Sequence, residues 1–140
     1  EDRILDVLGR AARRGVVVEL VVPARTNHFY VNWAMPAHLA GLPLDRIACY
    51  RTPAPFDHAK LMSVDGRWCS FGSPNWDARS MRLNFELMVE CYDDGLALQI
   101  DTLISKRIRE ADRLTSADLA ARPPLAKLRD ASARLFLPYL

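Results

Sequence analysis

The sequence lacks any hydrophobic run long enough to cross a membrane. Its longest apolar stretches, Val16–Val18 and Leu20–Val22, are separated by Glu19, whereas a spanning helix needs about 20 apolar residues. No secretory signal peptide is visible, although a truncated start would remove one. Attachment to a membrane surface is still compatible with these absences.

Cysteine is also scarce. The chain has three cysteines, Cys49, Cys69 and Cys91, each inside or beside an apolar stretch. Zinc sites use paired Cys-x-x-Cys or His-x-His spacings, and neither spacing occurs. We therefore expect free buried thiols, no metal site and a reducing compartment for this segment.

Net charge is small: 19 Lys and Arg against 17 Asp and Glu give +2, which neither demands nor forbids an anionic partner. Half of the 140 residues are hydrophobic, enough for one core. We expect a single domain over residues 1–140, with a helical tail over 111–140. The chain has no initiator methionine and starts within a helical pattern, so we expect it to be a piece of a larger polypeptide.

Hydrophobic periodicity predicts alternating helices and strands. Apolar residues at helical spacing from Ile4 to Ala12, followed by Gly15, predict a first helix. The run Val16–Val22 predicts a strand covered on both faces. The other predicted elements are a helix over 29–40, strands over 46–50 and 83–91, and helices marked by Leu96, Ile100, Leu103, Ile104 and Ile108, by Thr115 with Asp118, and by Leu125, Leu128 and Leu135. This order predicts an α/β fold.

Two strands, His58–Val64 and Arg67–Phe71, are predicted to form a hairpin around Asp65-Gly66, a pair suited to a type I′ turn. Alternate side chains of a strand share a face, so His58 and Lys60 should be neighbours. The ammonium supplies positive charge for a phosphate oxygen, and the imidazole titrates near neutral pH. Together they have the groups needed to attack a phosphodiester.

Two later segments add polar groups. Ser73 and Asn75 supply a hydroxyl and a carboxamide able to hold phosphate oxygens, beside a glycine that permits close approach. Glu86 is able to accept the second ring N–H of the histidine and fix its tautomer. Each has an ordinary alternative: Asp65 suits a turn, and Glu86 suits a solvated strand. The other histidines, His28 and His38, are interpreted as surface or helix-packing residues.

The whole string resembles the HxKxxxxDG...GSxN...E signature of the phospholipase D superfamily. Longer stretches resemble bacterial cardiolipin synthases, namely Ala11–Val16, Val64–Trp68, Gly72–Ser80 and Leu83–Glu86. The resemblance implies a phospholipase D-like α/β/α sandwich with a mixed central sheet. It also implies catalytic roles for His58, Lys60 and Asp65, phosphate binding by Lys60, Ser73 and Asn75, orientation of the histidine by Glu86, and no metal or other cofactor.

Members of this superfamily place two such motifs face to face, one histidine becoming a phosphohistidine while the other protonates the leaving alcohol. This chain carries one motif. The resemblance thus implies a second half, supplied by the same parent chain, of which this is the C-terminal half, or by a second copy. We favour the first arrangement.

The function implied is phosphatidyl transfer between glycerophospholipids such as phosphatidylglycerol, at a bacterial cell membrane. The protein would be peripheral or anchored through other segments. A phospholipase D-type phosphodiesterase or a homodimeric nuclease would need the same half-site, although nucleic acid is not the expected partner. A non-catalytic phosphate-binding or dimerisation domain is the other alternative.

Two features need a structure to interpret. Asp57 precedes His58 where relatives usually carry an apolar residue, and strand alternation predicts that the two side chains point apart. The tail from Lys106 to Leu140 is basic and ends in an apolar stretch. Packing of a terminal helix is favoured there over contact with a membrane surface.

Overall fold

The computed structural model describes residues 2–55, 57–75 and 84–136. The helices in this part of the chain are α1 (Asp2–Arg13), α2 (Phe29–Leu39), α3 (Asp94–Arg109), α4 (Ser116–Ala120) and α5 (Pro124–Phe136). The strands are β1 (Val18–Pro23), β2 (Ile47–Thr52), β3 (Leu61–Val64), β4 (Trp68–Gly72), β5 (Met88–Cys91) and β6 (Asp112–Leu114). None of the described helices is long and apolar enough to cross a membrane.

The chain divides into two compact units, Glu1–Phe56 with Ala111–Leu140, and Asp57–Glu110. In the first unit β2 pairs in parallel with β1 and antiparallel with β6. The second unit holds the antiparallel sheet β3-β4-β5. The predicted α/β class is confirmed, and the described strands pair as one three-stranded sheet in each unit. The chain leaves β2 through Pro53 and Pro55, which have no N–H for a continuing ladder. The single-domain organisation stays a prediction.

The first unit has a core centred on β2, where Ile47 and Cys49 are fully buried. Alternate residues of β1 pack against this core, whereas Glu19 is exposed. The prediction of this strand is therefore wrong in two respects: the strand begins at Val18 and not at Val16, and one of its faces is partly exposed. Val16 instead completes the end of α1, because its N–H donates to the Ala11 carbonyl at 3.1 Å.

The predicted glycine stop of α1 is confirmed. Gly15 has a φ of +95°, and the bond from Val16 back to Ala11 spans five residues, as in a Schellman motif. α1 thus ends where the sequence predicts it to end, and β1 starts after a short exposed link.

In the second unit α3 packs on β3 and β4. Its buried residues are Ala97 and Ile100, which contact Cys69 of β4. Asp93 caps the helix by accepting the Leu96 N–H at 2.7 Å. The predicted apolar face included Leu103, which is half exposed. Ala97 is instead fully buried against Cys69, and its small side chain lets the helix approach the sheet closely.

The thiols behave largely as the sequence predicts. Cys49 and Cys69 are free and fully buried, and Cys91 is free and half-buried. Burial raises the pKa of Cys49 to about 11, so this thiol is neutral at physiological pH.

The last part of the first unit differs from the helical tail that the sequence predicts. Asp112–Leu114 forms β6 on the edge of β2. The predicted helix start at Thr115 is confirmed, with a capping box to Asp118. α5 packs on α2, but the leucines that predict it are exposed.

Asp130, which is only 2% exposed, forms the main polar anchor of α5. One oxygen accepts from Nε of Arg122 at 3.0 Å and the other from Nη2 of Arg129 at 2.7 Å. The last helix that these leucines predict is therefore confirmed, with Asp130 at a buried position and the leucines exposed.

We expect Asp130→Asn to lower the free energy of unfolding by about 1–3 kcal/mol, because the isosteric amide removes the negative charge between Arg122 and Arg129 and turns one acceptor oxygen into a donor, without opening a cavity. Urea unfolding measures the change. Asp6→Asn is the matched control, since Asp6 bonds Arg10 at 2.6 Å on the exposed surface and such pairs contribute little. Equal midpoints for both variants would contradict the anchoring role.

Candidate functional site

The predicted hairpin turn is confirmed. Asp65 and Gly66 both have positive φ, +53° and +64°, and the Arg67 N–H donates to the Val64 carbonyl at 3.1 Å. These are features of a type I′ turn. Strand pairing resumes between Val64 and Trp68, so the loop has one residue more than the shortest hairpin.

Backbone hydrogen bonds bring three candidate segments to one end of the sheet β3-β4-β5. The Gly72 N–H donates to the Lys60 carbonyl at 3.3 Å, and the Ser73 N–H donates to the Leu87 carbonyl at 3.0 Å. Because neighbouring strands are antiparallel, the start of β3, the end of β4 and the start of β5 lie at the same end of the sheet. The segments that carry His58, Ser73 and Glu86 therefore meet there.

Gly72 makes this meeting possible. A Cβ atom at this position would lie 2.2 Å from the Leu87 carbonyl oxygen and 2.9 Å from the Met88 Cα. The sequence predicts close approach of a phosphate at this glycine. The structure shows instead that the backbone of the neighbouring strand occupies the space.

His58 and Lys60 are neighbours, as predicted, but for a different reason. Residues 57–60 precede β3 and are not in a strand. The Lys60 side chain folds back, so that Nζ lies 2.5 Å from Nδ1 of His58 and donates to the His58 carbonyl at 2.7 Å. The contact uses Nδ1, so Nε2 is the ring nitrogen that does not face the ammonium.

Ser73 and Glu86 form a second polar group. The Ser73 hydroxyl donates to Oε2 of Glu86 and accepts the Leu87 N–H at 3.0 Å. The Asn84 amide reaches Oε1 of the same carboxylate at 3.4 Å. Glu86 precedes β5, which begins at Met88 instead of at the predicted residue 83. Its orienting role toward His58 stays a prediction.

Asp57 has a structural role that the sequence did not reveal. Its Oδ1 accepts the Ala59 N–H at 2.9 Å, and its Oδ2 lies 2.7 Å from Nη2 of Arg107 on α3. The first contact is an Asx-turn around His58, and an Asp two residues before a loop N–H is a recognisable signal for it. The second contact joins residues 50 positions apart, so local sequence could not reveal it.

Other predicted residues lie in different surroundings. Asp65 is in the turn, at the opposite end of β3 from Lys60, which favours its role as a turn residue. Asn75 is exposed, two residues after Ser73. His28 precedes α2 and His38 lies on it, in the first unit. The positions Asp77, Arg79 and Ser80 of the resemblance lie outside the described residues. In the described part of the chain, no group of three or more His, Cys, Asp or Glu is placed to hold a metal ion.

We expect Gly72→Ala to lower the free energy of unfolding by about 1–3 kcal/mol, because the methyl group collides with backbone that cannot rotate away. The amide resonances of Ser73 and Leu87 should shift as the β4–β5 contact opens. Gly41→Ala is the control, since its added Cβ would meet only the His38 carbonyl oxygen at 3.4 Å. Unchanged stability and spectra in Gly72→Ala would contradict the close approach.

We expect Asp57→Ala to expose the Ala59 amide to solvent and raise its hydrogen exchange rate about tenfold, the effect of losing one hydrogen bond. Asp57→Asn keeps the Oδ1 acceptor while removing the charge that faces Arg107, so it should keep most of the protection. Exchange followed by NMR distinguishes the two variants. Equal exchange in both would place the constraint on the ion pair and not on the turn.

Comparison with known proteins places these residues in a family. The family described as "Cardiolipin synthase, PLD-like domain" matches residues 1–108. Cardiolipin synthase 1 of Staphylococcus epidermidis is 33% identical over 136 residues, covering 97% of this chain and 28% of the relative. The major cardiolipin synthase ClsA of Bacillus subtilis is 29% identical over 137 residues, covering 98% and 28%.

A solved structure agrees with the fold. Nuc from Salmonella typhimurium, a phospholipase D family member, superposes with a TM-score of 0.68 at 24% identity, covering 81% of this chain and 74% of Nuc. The chain spans little more than a quarter of the length of the cardiolipin synthases that it matches. It nevertheless carries their domain over most of its own length, and it belongs to the phospholipase D superfamily, within the cardiolipin synthase-like group.

Proposed function

We propose that this chain supplies one catalytic half-site of a phosphatidyltransferase of the cardiolipin synthase type. The observation that carries the proposal is the pairing of His58 with Lys60, whose ammonium lies 2.5 Å from the ring. Displacement at a phosphodiester needs a nucleophile and positive charge for the non-bridging oxygens. This pair supplies both.

Lys60 has to change partner when substrate binds. With the ammonium donating to Nδ1 of His58, a neutral ring would carry its proton on Nε2, which is then not a nucleophile. A phosphate oxygen attracts the ammonium away from the ring. His58 is exposed, so water can move the ring proton to Nδ1, where a carboxylate such as Glu86 would hold it.

The lone pair of Nε2 is then available for the first displacement. Nε2 of His58 forms a bond to phosphorus while the bond between phosphorus and the leaving alcohol oxygen breaks. A second histidine, from the other half-site, donates a proton to that oxygen. The phosphatidyl group is left on His58 as a phosphohistidine.

The second displacement returns the enzyme to its starting state. A hydroxyl of the acceptor lipid gives its proton to the second histidine and attacks phosphorus, and the bond to Nε2 of His58 breaks. With phosphatidylglycerol as donor and acceptor, the products are cardiolipin and glycerol. Lys60 and its counterpart balance the phosphate charge, so this scheme needs no metal ion.

The remaining residues have supporting roles in this proposal. The Ser73 hydroxyl donates its proton to Glu86, so we assign it first to holding that carboxylate and only secondarily to phosphate. Asn75, exposed beyond Ser73, offers its carboxamide to a phosphate oxygen. Asp65 is assigned to the hairpin turn and not to the reacting atoms.

The second half-site is part of the proposal. The cardiolipin synthases matched here are more than three times as long as the matched region, leaving room for another motif in each. We propose that the same parent polypeptide supplies it and that the enzyme works at a bacterial membrane. Turnover by a verified monomer of this chain alone would contradict the half-site arrangement.

The experiment compares the full polypeptide that carries this chain with its His58→Ala and His28→Ala variants. Each is incubated with phosphatidylglycerol vesicles, and lipid products are identified by mass spectrometry. We expect cardiolipin and glycerol, with a loss of about 10²–10⁴-fold in His58→Ala, the usual contribution of a positioned acid or base. The hydrogen bonds that join His28 to Thr26 and Asn32 use its backbone atoms, and its ring lies beside Tyr30. His28→Ala keeps those hydrogen bonds and should keep full activity.

Other outcomes would change the assignment. Phosphatidic acid without cardiolipin would indicate water as the acceptor and a phospholipase D-type hydrolase. A rate that is unchanged in His58→Ala would exclude catalysis by this half-site. Retained phosphate binding without turnover would indicate a non-catalytic domain.

A further inference from the structure

Helix α5 buries a charged residue and exposes its leucines, whereas a helix of a globular protein usually buries its apolar residues. Asp130 is 2% exposed, whereas Leu125 is 82% and Leu128 is 66% exposed. With Leu135 and Phe136, also exposed, these side chains fall within about 100° of the helix circumference, since successive residues are about 100° apart. We call these four residues the apolar ridge.

The polar contacts of α5 are made by residues outside the apolar ridge. Asp130 accepts from Arg122 and Arg129, Arg134 donates to the Ala37 carbonyl at 3.3 Å, and Lys127 donates to the Ala120 carbonyl at 2.7 Å. The apolar ridge is therefore exposed without being needed for packing on α2.

Cations and aromatic rings border the apolar ridge. The Arg129 guanidinium lies 5.0 Å from the centre of the Trp33 ring, which is itself partly exposed. Leu135, at the other edge of the ridge, also lines a cleft of about 850 Å³. The charged residues of this cleft are Arg122, Lys127, Arg134 and Asp130, and Asp130 is paired with Arg122. Four cationic residues and one buried carboxylate lie between Arg122 and Phe136.

We propose that the apolar ridge and its flanking cations lie on the surface of an anionic lipid bilayer, with α5 in the plane of the interface. Leucine and phenylalanine would enter the acyl boundary, tryptophan would lie at the headgroups, and the cations would contact lipid phosphates. The choice of lipid as occupant rests on the proposed function, whose substrates are phospholipids.

The charge distribution disfavours a second copy as the occupant. A twofold contact through the ridge would place the same cationic border of one copy against that of the other, and opposed like charges weaken association. An anionic bilayer complements both the apolar area and the positive border.

The test measures binding of the 140-residue chain to sedimenting vesicles of phosphatidylcholine, with and without phosphatidylglycerol. We expect binding to the anionic vesicles that weakens as salt is raised. In Leu125→Glu/Leu128→Glu it should be at least about tenfold weaker, because the change removes apolar insertion and adds negative charge.

Leu98→Glu/Leu103→Glu is the matched control, since both leucines lie exposed on α3 and the change in charge and apolar area is the same. It should bind like the unmodified chain. The vesicle assay measures binding and the product assay measures turnover, so failure of the membrane proposal and failure of the catalytic proposal give different results. Circular dichroism checks that each variant is folded.

Four results would overturn the proposal. They are absence of vesicle binding by the unmodified chain, equal binding by the ridge variant, equal loss in the α3 control, and a dimer in sedimentation velocity that only the ridge variant abolishes. The last result would assign the ridge to contact between copies.

Discussion

The contact between β4 and the chain entering β5 is the constraint on which the candidate site depends. Gly72 leaves room for the Leu87 carbonyl, and the adjacent Ser73 N–H bonds that same carbonyl. On its other side Gly72 bonds Lys60. The main chain at Gly72 and Ser73 thus connects the segment that carries Lys60 to the segment that carries Glu86. Main-chain geometry therefore brings these two segments together.

Electrostatic contacts then set the local conformation around the histidine. Asp57 holds the loop from one side, through Ala59 and Arg107, while Lys60 approaches the ring from the other. Both contacts are partly exposed.

In the first unit, a pattern that predicts packing lies on an exposed face. Leu125, Leu128 and Leu135 have the spacing of an apolar helix face, and that face is exposed because Asp130 and its arginines occupy the interior position. Conflict between a sequence pattern and the packed structure is expected at functional surfaces. The exposed leucines are therefore as informative as the catalytic motif.

Sequence alone determined the elements whose signals are local: the glycine stop of α1, the Asp65-Gly66 turn and the capping box at Thr115. It also determined which residues resemble a catalytic motif, because that motif is compact along the chain. Only tertiary structure decided the rest. The Asp57–Arg107 contact, the space at Gly72 and the side that α5 buries all depend on partners distant in sequence, and periodicity cannot say whether an apolar face will meet protein or solvent.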